Sequence, residues 1–70
     1  MKYNIGDRVS FLCPEKDTKN WQVLMSGEII GLVNFSVQAY NIADYQGKIY
    51  TVNEADIIDD VVAFMLKKSL

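Results

Sequence analysis

Ile5-Gly6-Asp7-Arg8-Val9, then Gly27-Glu28-Ile29-Ile30-Gly31, then Gly47-Lys48-Ile49-Tyr50-Thr51-Val52 are the segments whose reading decides the fold. Each couples glycine to a short run of β-branched or aromatic residues, the composition that favours a pleated strand. Outward from the first, Arg8 to Leu12 alternates, with Val9 and Phe11 on one face and Arg8 and Ser10 on the other. That period of two describes a half-buried strand, introduced by a Gly6-Asp7 turn. Pro14 cannot donate to a ladder and ends it. Cys13 to Asn20 carries Pro14 and several polar or charged residues without periodicity, and reads as a surface loop.

Outward from the second segment, Trp21 to Val33 reads as one long strand in which Trp21, Val23 and Met25 alternate. Glycines 27 and 31 predict bulges or sharp bends, which let a single strand serve both halves of a small barrel. Asn34-Phe35-Ser36 is the expected hairpin loop. In the following strand, Val37 to Ala43, Val37, Ala39 and Ile42 compete with Tyr40 for the inner face, so its register stays open. Around the third segment, Asp44-Tyr45-Gln46-Gly47 is a turn and Lys48 to Val52 a strand. Asn53 to Asp56 suits one tight helical turn, followed by a short strand at Ile57-Ile58. The expected fold is mainly β, a five-stranded small barrel over residues 1–58.

The last twelve positions, 59–70, differ in kind. Asp59 or Asp60 can cap a helix, and Lys67-Lys68 suits its C-terminal end. Val61, Val62, Phe64, Met65 and Leu66 then cover about half the helical circumference. This predicts a short C-terminal helix that packs on the barrel or on a partner, with Val61, Phe64 and Met65 as candidate oligomer contacts.

Composition excludes several classes of function. Seventy residues hold one domain, near the lower limit for folding without staples. The net charge of −2 and a single arginine, Arg8, leave no basic footprint for nucleic acid. Histidine is absent, which removes the usual general base and the commonest metal ligand. Cys13 is the lone cysteine, which precludes an internal disulfide and reads as a small, partly buried apolar residue. No paired carboxylates, nucleophile–base couple or phosphate-cradling glycine loop appears. Asp56, Asp59 and Asp60 lack the spacing of a calcium loop and read as helix caps. Glu15, Lys16, Asp17 and Lys19 read as a solvated mixed-charge cluster. Lys2-Tyr3-Asn4 does not open a signal segment, no run is long enough to span a bilayer, and the expected location is the cytoplasm.

The order of five short strands, a polar loop after the first, a long bent second and a helical turn before the last resembles the Src-homology-3-like barrel. The resemblance covers roughly residues 3–58 and includes a Gly-Asp-x-Val opening at Gly6-Asp7-Arg8-Val9. A further similarity is to the plasmid-borne type II dihydrofolate reductases, carried by Gly6-Asp7-Arg8-Val9, Trp21, Gly27 to Gly31 and Ile49-Tyr50. That family assembles four chains around a pore that binds folate and a nicotinamide cofactor. Ile49 and Tyr50 match two positions of its pore-lining triplet, and Lys48 stands where the family has glutamine.

Together these features predict a non-enzymatic interaction or accessory module of a bacterium, phage or plasmid, acting through protein–protein contacts. No catalytic residue, cofactor or metal is expected, and partners are a second copy or another protein rather than a membrane or nucleic acid. Trp21, Tyr40, Tyr50 and Lys48 are the candidate partner-binding residues. Trp21 leads because indole combines a large contact area with one donor. A type II reductase-like oligomer and a nucleic-acid-binding barrel are the alternatives.

Overall fold

The run from Gly6 to Val9 opens the sheet with a turn and not merely with a flexible hinge. Asp7 N–H donates to the Asn4 carbonyl at 3.0 Å, and the Asp7 carboxylate accepts from Asn4 N–H at 2.9 Å. Gly6 sits third in that turn with φ 98°, the left-handed value that glycine adopts without steric cost. The chain then enters β1, Arg8–Leu12.

A computed structural model describes residues 3–34 and 38–58. After β1 come β2 Leu24–Asn34, β3 Gln38–Ala43, β4 Ile49–Asn53, a 3-10 turn at Glu54–Asp56, and β5 Ile57–Ile58. All neighbouring strands are antiparallel, and the sheet runs β4-β3-β2-β1-β5. It is curled into a half-barrel. The helix expected after residue 58, with Val61, Phe64 and Met65, lies outside the described residues, as do Phe35 and Val37.

β2 joins the two halves. Its first part pairs with β1, from Leu12↔Leu24 to Arg8↔Glu28, and its second part pairs with β3, from Glu28↔Ala43 to Asn34↔Gln38. The ladder slips between Ile29 and Gly31, which face the consecutive residues Ile42 and Asn41, so Ile30 is the extra residue of a bulge. Gly6 and Asp7 continue the first ladder past β1. Gly6 N–H donates to the Ile29 carbonyl at 2.8 Å, and Ile29 N–H donates to the Asp7 carbonyl at 2.9 Å. Gly27 marks the place where the two halves come closest. A Cβ there would lie 2.5 Å from the Ala43 carbonyl oxygen and 2.7 Å from an Ile42 methyl.

Two expectations change in the structure. The long strand does not begin at Trp21 but at Leu24. Gln22 has φ 59°, outside the extended region, and Val23 N–H is turned back to the Asn20 carbonyl at 2.9 Å, so residues 20–23 form a turn. The competition for the inner face of β3 is resolved by its neighbours. Tyr40 faces Leu32 and Val52, Ile42 faces Ile29 and Tyr50, and both side chains are fully buried. Ala39 is buried as well, on the opposite face.

The core gathers Val9, Phe11 and Cys13 from β1 and its exit, Ile29 from β2, Tyr40 and Ile42 from β3, Tyr50 and Val52 from β4, and Ile57 from β5, with Tyr3 at one end. A buried phenol needs a partner for its hydroxyl. Tyr40 OH accepts from Tyr3 N–H at 3.2 Å and donates to Glu54 Oε2 at 2.8 Å. With its amide oriented to satisfy both neighbours, Gln38 also donates to Glu54 Oε2 at 2.7 Å. The Tyr3 and Tyr40 rings meet edge to face at 5.6 Å. Glu54 therefore fastens the 3-10 turn to β3 through a core residue.

Two substitutions test this arrangement by urea denaturation. Gly27→Ala forces the backbones of β2 and β3 apart and is expected to cost about 1–3 kcal/mol, the range for overpacking; an unchanged midpoint would show that the crossing is slack. Tyr40→Phe deprives both Tyr3 N–H and Glu54 of a partner and is expected to cost about 1–2 kcal/mol. Equal stability of the phenylalanine variant would show that this network contributes nothing.

Candidate functional site

The segment between β1 and β2 is a shaped loop. Cys13 N–H donates to the Val23 carbonyl at 3.0 Å and Gln22 N–H to the Cys13 carbonyl at 2.9 Å, which carries the β1–β2 ladder into the neck of the loop. Beyond the neck, Thr18 organises the tip. Its N–H and Oγ1 both donate to the Glu15 carbonyl, at 3.3 and 3.0 Å, and its Oγ1 accepts from Asn20 N–H at 3.2 Å. Its carbonyl accepts from Trp21 N–H at 3.2 Å, which places Trp21 on the return limb.

Trp21 is 44% exposed. It lines a surface cleft of about 280 Å³ with Leu12, Cys13, Pro14, Lys16 and Gln22 on one side and Asn53 and Asp56 on the other. The indole, Leu12 and Pro14 supply apolar contact area, while Lys16, Gln22, Asn53 and Asp56 supply donors and acceptors, so the lining is mixed. Asp56 comes from the 3-10 turn and Asn53 from the end of β4, so the cleft exists only because that turn is drawn against the loop. Cys13 is buried and has a free thiol, as expected of a small apolar residue.

The other candidates do not converge on Trp21. Tyr40 was expected at a binding surface and is instead a core residue with no exposed area. Its hydroxyl is needed inside, and packing took precedence over display. Tyr50 also turns inward, at 7% exposure, with its ring 5.6 Å from that of Phe11. The exposed tyrosine is Tyr45, at the tip of the turn between β3 and β4. There the Asp44 carboxylate accepts from Gln46 and Lys48 N–H, each at 2.9 Å, and Gly47 takes φ 83°.

Lys48 belongs to a polar cluster beside the loop. Its ammonium lies 2.8 Å from Glu15 Oε1 and 3.0 Å from Glu15 Oε2, and 5.2 Å from the centre of the Tyr50 ring. Tyr50 OH is 3.5 Å from Asp44 Oδ2. Sequence reading placed Glu15 in a solvated charge cluster and missed this pair, because its members are 33 positions apart and no local pattern joins them. The hydrogen bond that Lys48 donates to the Glu15 carboxylate raises its pKa above the ordinary value of 10.5. Burial raises that of Tyr50 above 10.0, against an opposing effect of the Lys48 charge.

Among the described residues no cluster of three or more acidic or cysteine side chains could hold a metal ion, and no helix is long and apolar enough to cross a membrane. Comparison of the chain with protein-family models, with curated proteins and with solved structures finds no match in any of the three.

The Lys48–Tyr50 cluster fixes the sign of an alkaline response. Both groups hold their protons more tightly when folded, so the stability they contribute is complete below their unfolded values near pH 10 and is lost as pH rises through the folded ones. The urea midpoint is therefore expected to show no loss from these groups between pH 7 and 9 and to fall above about pH 10. Glu15→Gln removes the main cause of the Lys48 shift, so the fall should shrink in that variant. An identical alkaline limb in both proteins would show that the pair does not operate in solution.

Proposed function

We propose that the chain is a small non-enzymatic binding module that takes an extended peptide segment of a protein partner into the cleft beside Trp21. The observation that carries this reading is the half-exposed indole on a hydrogen-bonded loop, in a cleft of mixed polarity that it shares with Asn53 and with Asp56 of the 3-10 turn. Exposed tryptophan in a preformed cleft is the residue type that most often dominates the energy of a protein contact. The volume of about 280 Å³ suits one or two side chains. Lys16 and Asp56 at the rim offer one charge of each sign, which favours a peptide with mixed polar contacts over a polyanion.

The strand order, the loop over β1–β2 and the 3-10 turn before β5 support placing the half-barrel in the Src-homology-3-like superfold. Folds of this kind serve many roles, so the function rests on the cleft and not on the architecture. The reductase reading gains no support from the geometry: Lys48, just before β4, is ion-paired, Ile49 is exposed and Tyr50 is buried, so the triplet does not present one surface.

Trp21 is the sole tryptophan, so its emission reports on the cleft directly. A displayed library of extended peptides is expected to yield sequences whose binding shifts that emission. Trp21→Ala should weaken them by at least about tenfold, the factor of a modest hot spot, with an unchanged circular dichroism spectrum. Binders that ignore Trp21→Ala, or a library with no binders, would refute the assignment.

A further inference from the structure

β4 is an outer strand of the sheet, paired with β3 on one side. The phase of that pairing tells where its backbone groups point. Asp44 N–H donates to the Lys48 carbonyl at 2.9 Å, and antiparallel ladders alternate bonded with non-bonded pairs. The bonded pairs are then Ile42↔Tyr50 and Tyr40↔Val52, and the non-bonded ones Ala43↔Ile49, Asn41↔Thr51 and Ala39↔Asn53. Thr51 Oγ1 lies 2.7 Å from Asn41 Oδ1, in keeping with the closer side chains of a non-bonded pair. The N–H and C=O groups of Ile49 and Thr51 therefore point away from β3. Among the described residues β4 pairs with no strand other than β3.

Natural edge strands are blunted by charges, prolines, bulges or shortness. Ile49-Tyr50-Thr51-Val52-Asn53 contains no charge and no proline, and its register with β3 is unbroken. Ile49 is 57% exposed, and Thr51 and Asn53 are exposed too. We infer that β4 pairs edge to edge with β4 of a second copy of this chain, antiparallel, about a two-fold axis at Thr51.

Two features favour a second copy as the occupant. A two-fold contact must be self-complementary, so each residue pairing occurs twice. With Thr51 on the axis, the whole of β4 is engaged: Ile49 faces the second copy's Asn53 and Tyr50 faces its Val52. Carried one position past β4 at each end, the same register would bring Lys48 near the second copy's Glu54, the first residue of the 3-10 turn, a cation against a carboxylate at each end of the seam. Lys48 has three donors, and the Glu54 carboxylate has about four lone-pair sites, so each can serve a new partner beside its present ones, Glu15 for Lys48 and Tyr40 and Gln38 for Glu54. The Tyr50–Val52 row would then continue one apolar face across both molecules. This inference is independent of the cleft, whose lining includes β4 only at Asn53.

The test is the mass of the full-length chain by size-exclusion chromatography with light scattering over a concentration series. The expected result is a particle of twice the 8.0 kDa chain mass at high concentration. Thr51→Lys puts two ammonium groups on the axis, and Thr51→Glu puts two carboxylates there; like charges directly opposite are unfavourable. Each variant alone should dissociate with a Kd at least about tenfold higher, and an equimolar mixture of the two should recover the dimer. Recovery by mixing separates a lost interface from a lost fold. Thr51→Cys should also give a disulfide-linked dimer on mild oxidation, while buried Cys13 stays unreacted. A monomer at every concentration would overturn the inference. So would a dimer that Thr51→Lys leaves intact, which would place the contact elsewhere, at residues 59–70 for example.

Discussion

The rest of the structure depends on the close approach of β2 to the end of β3 at Gly27. A side chain there would overlap the Ala43 carbonyl, so glycine is what lets the strand that pairs with β1 also begin its pairing with β3. The change of partner is completed two residues later. Ile29 spends its N–H and C=O on Asp7 and Gly6, and the bulge at Ile30 re-aims the strand along β3. Curl in a sheet this small comes from such local devices, because its apolar face is too short to wrap by gradual twist alone. With the curl in place, Val9 and Phe11 from one half meet Ile42, Tyr50 and Val52 from the other, and a single core forms.

The same curl brings distant polar groups together. Glu15 leaves the first hairpin and Lys48 the turn before β4, and they meet as an ion pair beside the Tyr50 ring. Tyr40, from the middle of β3, reaches Glu54 of the 3-10 turn and the backbone of Tyr3. Exposed ion pairs contribute little to stability, and the Lys48 side chain is half exposed, so the pair matters more for holding the loop near β4 than for its energy. The Tyr40 network is the stronger of the two fastenings, because a buried hydroxyl without partners is costly.

Much of the fold was legible from local patterns. The Gly6-Asp7 turn, alternation in β1, the glycine-hinged β2, the Asp44–Gly47 turn and the helical turn before β5 each follow from short-range chemistry that reads the same in isolation and in the molecule. Trp21 was misread as the start of a strand because its spacing with Val23 and Met25 mimics alternation; a left-handed Gln22 breaks the run, and nothing in a glutamine announces that. Tyr40 was named as a candidate contact while the face of its strand stayed open, for a different reason. Tyrosine is compatible with either face of a strand, and only the identity of its cross-strand neighbours, Leu32 and Val52, decides between them. Of the candidate site, Trp21 was named from the sequence as a candidate partner contact, while Asn53 and Asp56, which line the same cleft, were not.

The sequence by itself determined a mainly β molecule, since β-branched alternation and hinge glycines are properties of the chain that no packing can alter. Tertiary structure alone decided which tyrosines are displayed, which charge Lys48 neutralises and where the cleft opens. Those outcomes depend on contacts between residues tens of positions apart. Their distances are set by how sharply β2 bends at Gly27 and Ile30, and no local pattern encodes that angle.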